Sequence, residues 1–76
     1  MTLDNADKKA AQLFSLVGRK AKKFKNDKIE IISRVTVFKK TDGEWDIAVF
    51  FVHKQKAEIN KPDCFLADFT EKYEIV

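Results

Sequence analysis

From Asp4 to about Asn26, apolar side chains recur at Ala6, Ala10, Leu13, Phe14, Val17, Ala21 and Phe24. At 100° per residue, spacings of three and four gather them on one stripe, so the pattern predicts an amphipathic helix. Thr2 or Asp4 can cap its start. Asp4 and Asp7 lie near the positive end of its dipole, and Lys22, Lys23 and Lys25 near the negative end. Opposite the stripe run Lys8, Gln12, Ser15, Arg19, Lys22 and Lys23, a basic solvent face, while Leu16 falls off the stripe. Gly18 weakens the middle by about 1 kcal/mol relative to Ala and marks a bend or a close contact.

After Asn26-Asp27 the period changes. Lys28 to Lys40 alternates through Ile29, Ile31, Val35 and Val37, and the parity slips at Ile32, which predicts a strand with a bulge near Ile32-Ser33. Thr41-Asp42-Gly43 supplies the positive φ angles that a tight hairpin turn demands. A second strand follows from Glu44 to about Lys56, with Trp45, Ile47, Val49 and Phe51 on one face and Ala48, Phe50 and Val52 on the other. Both faces are apolar. One can be covered by the helix, so Phe50 and Val52 need either the C-terminal segment or a second molecule. Beyond Asn60-Lys61-Pro62-Asp63, the residues Phe65, Leu66, Phe69 and Tyr73 fit a short helix capped by Asn60, whereas Phe65, Ala67 and Phe69 alternate as a strand would. The marginal stability of an isolated hairpin tips the balance toward the strand. The expected fold is therefore α+β, one domain over residues 1–76: an N-terminal amphipathic helix packed on a small antiparallel sheet, built from a hairpin plus a C-terminal strand or short helix.

Composition narrows the class. Of 76 residues, 45% are apolar and 36% charged, with only two Gly and one Pro, a balance that fits a folded globule. No apolar run approaches the roughly 20 residues of a membrane span, and no secretory signal opens the chain, so a cytoplasmic location is expected. Cys64 stands alone, which excludes an internal disulfide and a zinc finger. A domain this small buries only about 60% of its unfolded surface, so a partner chain or a homo-oligomer is a reasonable expectation.

Charge is distributed unevenly: residues 1–28 carry a net +5, residues 29–56 a net +1 and residues 57–76 a net −3. A basic first third suits an acidic partner. His53 and Cys64 are the only candidates for nucleophilic chemistry, and no carboxylate stands at a spacing that would orient the histidine. Asp42, Glu44 and Asp46 read as turn and cross-strand pairing groups. Two glycines cannot form a glycine-rich phosphate loop. No enzyme and no cofactor is expected. The reading is a non-enzymatic binding protein, adaptor or inhibitor-like, that docks on another protein through Phe50 and Val52 on the sheet and Lys8, Arg19, Lys22 and Lys23 on the helix. The alternative is nucleic-acid binding by that basic helix face.

Overall fold

In the computed structural model, which describes residues 1–53 and 61–76, the first helix is half as long as its apolar stripe. Helix α1 spans Leu3–Gln12, and the hydroxyl of Thr2 caps it by accepting the Asn5 N–H at 3.2 Å. A single 3-10 turn, Phe14–Leu16, follows, and Val17 is already extended. Gly18 then takes φ +87°, a left-handed conformation that an L side chain adopts only under strain. Past that bend Lys20–Lys23 is strand β1. The expected helix to Asn26 is thus corrected. Ala21 satisfies both periods, four residues after Val17 on a helix and between Lys20 and Lys22 on a strand, and pairing with the next strand overrides helix propensity there. Two members of the stripe, Phe14 and Phe24, consequently end up 70% and 54% exposed, while Leu16 packs against the core.

Strand β2, Ile29–Lys39, and β3, Trp45–Phe51, form the expected hairpin. Its turn is closed by the Lys40 N–H donating to the Glu44 carbonyl at 2.8 Å, with Gly43 at φ +87° and the Asp42 carboxylate accepting the Glu44 N–H at 2.9 Å. The expected bulge is present: register shifts between Ile32 and Arg34, and the hydroxyl of the extra residue, Ser33, donates to the Phe50 carbonyl at 3.2 Å. The end of the strand expected to reach Lys56, and Asn60 as a helix cap, lie outside the described residues.

The C-terminal segment is strand, helix and strand in turn: β4 at Cys64–Phe65, α2 at Leu66–Lys72 and β5 at Tyr73–Ile75. The sheet is antiparallel with order β4-β3-β2-β1-β5. Its two edge strands are therefore joined directly by α2, whose seven residues span about 10 Å. On a flat sheet those edges would lie about 19 Å apart. The sheet curls instead, so Phe51 on β3 and Tyr73 on β5 meet with ring centroids 5.2 Å apart across two intervening strands. Phe69 of α2 closes the triad, 5.4 Å from Tyr73 and 6.3 Å from Phe51. Inside the curl lie Ala21, Ile32, Val35, Ile47, Val49, Phe51 and Phe69, covered along β2 and β3 by α1 through Ala6.

Candidate functional site

The curl gives the sheet an inner face, filled by the core, and an outer face. Cross-strand register assigns residues to each. Ala21 and Val49 are inner, so their neighbours Lys20, Lys22, Ala48 and Phe50 are outer, together with the partners Ile31, Ile29, Thr36 and Arg34. Val52 continues the outer row, its N–H donating to the Ile31 carbonyl at 2.8 Å.

This geometry disperses the basic row expected on one helix. Lys8 is on α1, Arg19 is in the turn before β1, and Lys22 and Lys23 are consecutive residues of a strand, so they face opposite sides. Lys22 is outer and lies 3.4 Å from Asp27; Lys23 is inner, with its ammonium 5.9 Å from the Tyr73 ring centre. Phe50, expected as an exposed contact, is instead 3% exposed, with the Arg34 guanidinium 4.1 Å from its ring centre. Val52 remains 50% exposed. It joins Ile29 and Ile31, 53% and 43% exposed, around a shallow depression of about 360 Å³ that Lys28 and His53 also line. The parity slip was the signal for those two isoleucines, because a bulge at Ser33 turns Ile29 and Ile31 away from the side that Val35 and Val37 occupy.

A second, polar pocket of about 250 Å³ opens at the end of the curl, lined among others by Lys23, Lys28, Glu30, His53, Asp63 and Tyr73. Tertiary folding supplies the carboxylate that the local sequence around His53 lacks: Asp63 Oδ1 is 2.8 Å from His53 Nε2, and Oδ2 accepts the Phe51 N–H at 2.8 Å. Asp63 thereby ties the end of β3 to the start of β4. Cys64, next in the chain, supplies no activated thiolate to the pair. Burial first, then the charges of Asp63 and Asp68, push the Cys64 thiol up to about 11, so it is protonated at neutral pH, and it packs against the core. Burial, followed by Cys64, Glu30 and Asp63, likewise raises the Tyr73 hydroxyl. Lys28 is held 3.2 Å from Glu30. Of the carboxylates around the hairpin, Asp42 accepts the Glu44 N–H at 2.9 Å and Asp46 lies 3.6 Å from Lys40.

Compared with protein-family models, curated proteins and solved structures, the chain matches none. No helix among the described residues is long and apolar enough to cross a membrane.

Proposed function

We propose that this protein is a small binding module that docks on another protein through the open end of its outer sheet face. The observation that carries the reading is the group Ile29, Ile31 and Val52, three aliphatic side chains each about half exposed around one depression. Completing their burial contributes on the order of 3 kcal/mol, enough to anchor a contact but not to define it. Definition comes from charge. Lys20 and Lys22 stand on the same face, Lys22 3.4 Å from Asp27, and the depression itself is lined by the ion pair of Lys28 and Glu30 at 3.2 Å, so the complementary partner is an apolar protrusion with an acidic group toward Lys20. Such a contact responds weakly to salt at its apolar centre and strongly at its lysine rim.

The test is retention of cell-extract proteins on immobilised wild-type protein and on Ile31→Asp, followed by titration of whatever the wild type alone retains. Binding by Ile31→Asp is expected to be about tenfold weaker or worse, as for an anchor residue. Equal binding by both would overturn the reading. Retention of this chain itself, with a doubled mass in solution, would identify the partner as a second copy and overturn the acidic partner.

A further inference from the structure

A different part of the surface carries a contact of its own. The turn from β1 to β2 and the end of α2 enclose a groove of about 450 Å³, lined by Lys23, Phe24, Lys25, Glu71 and Lys72. Phe24 is 54% exposed there. Its backbone is held: the Phe24 N–H donates to the Lys72 carbonyl at 3.0 Å, the Asp27 N–H to the Lys23 carbonyl at 2.9 Å, and the Lys23 N–H to the Lys28 carbonyl at 2.8 Å. The Asn26 side chain accepts the Lys28 N–H at 3.0 Å, and Asp27 closes the turn at φ +57°. An aromatic ring is therefore presented by an ordered turn rather than by a loose tip. Lys25 and Lys72 flank it, while the Lys23 ammonium turns toward the Tyr73 ring, 5.9 Å from its centre. Among the described residues neither Lys25 nor Lys72 forms an ion pair, whereas neighbouring Lys22 and Lys28 are each within 3.4 Å of a carboxylate.

A half-exposed ring between unpaired ammonium groups selects a ligand with a planar face and negative charge a few ångströms away. We propose that this groove binds single-stranded nucleic acid, one base stacking on Phe24 while Lys25 and Lys72 take flanking phosphates. A duplex fits poorly, because its bases are already stacked on one another. A lipid surface fits poorly too, because the ring sits in a concave groove whose rim bears the Glu71 carboxylate, where insertion would need a convex apolar tip. The contact is independent of the docking reading, since it uses neither Ile29, Ile31 nor Val52.

Fluorescence anisotropy of a labelled oligothymidylate of about twelve nucleotides, titrated with the full chain at low and at about 150 mM salt, tests it. Saturable binding is expected, and Phe24→Ala should weaken it about tenfold while Phe24→Trp retains it. Lys25→Gln combined with Lys72→Gln should flatten the salt dependence. Ile31→Asp should bind the oligonucleotide as the wild type does, which separates this contact from the docking face. Circular dichroism and a thermal melt establish that each variant is folded. Absence of saturable binding at low salt, equal binding by folded Phe24→Ala and wild type, or equal affinity for a duplex of the same length would each overturn the proposal. So would sedimentation with vesicles of phosphatidylserine and phosphatidylcholine in place of oligonucleotide binding.

Discussion

Along one outer sheet face, Ala48 and Phe50 are 0% and 3% exposed, while Ile29, Ile31 and Val52 are 53%, 43% and 50% exposed. Both groups face the same way, and alternation alone does not distinguish them. What differs is the company on adjacent strands. Phe50 lies under the Arg34 guanidinium, and Ala48 lies beside the sheet extension β4, where Phe65 meets Phe38 edge-on at 5.8 Å with the Lys40 ammonium 5.7 Å from the Phe65 ring centre. Around Ile29 and Ile31 the neighbouring strand offers Lys22 and Lys20, whose stems can cover only part of the apolar surface while their charged heads turn away from it, and the isoleucines stay half exposed. Burial of a strand residue is thus set by the whole row across the sheet, one residue per strand, more than by its own hydrophobicity.

The largest effect is expected where inner and outer faces are compared directly. Phe51→Ala, inside the curl and against Phe69 and Tyr73, should destabilise by about 3–5 kcal/mol in chemical denaturation. Phe50→Ala, next along the chain and on the outer face, should cost about 3 kcal/mol, because it empties a covered site and strips Arg34 of its ring. A cost for Phe50→Ala below about 1 kcal/mol would mean that the closed end of the outer face is not packed in solution.

Strand β4 shows the same division on two consecutive residues, with Phe65 outer and Cys64 inner. At pH 8 the Cys64 thiol, held at about 11 against an ordinary 9.0, should react with iodoacetamide about 100-fold more slowly than a free thiol. Because folding raises this value, the thiol's contribution to stability is fully present below pH 9 and disappears as pH rises through about 11. The denaturation midpoint of the wild type should therefore fall over that range more than the midpoint of Cys64→Ala. Equal falls would place the thiol in water. At the open end the expected change is smallest: Ile31→Ser should alter stability by less than about 0.5 kcal/mol, and a larger loss would show that the face is covered.

Much of this architecture can be read from local pattern. Thr2 as a cap, the Asp42-Gly43 turn, the bulge near Ser33 and the two-faced strand from Trp45 all follow from rules that act within a few residues. Local pattern misplaces the basic surface for a definite reason. Val17, Ala21 and Phe24 keep helical spacing beyond Gly18, so the lysines among them look like one helical face, whereas a strand separates Lys22 from Lys23. The C-terminal ambiguity had a similar source, since Cys64–Ile75 contains strand, helix and strand in twelve residues, each too short to establish a period.

Periodicity, turn chemistry and capping are local, so the α+β class, the hairpin and the parity of its side chains were fixed residue by residue before any packing. Chain reversal at Gly18, the curl that brings β3 within ring contact of β5, and the meeting of His53 with Asp63 depend on groups far apart in the chain. Their cause is the burial of one apolar face by a sheet too small to do so flat: only by rolling its edges together under a seven-residue helix does it enclose Ile32, Ile47 and Val49. That same rolling decides which aliphatic side chains remain in water, and so where another molecule can dock.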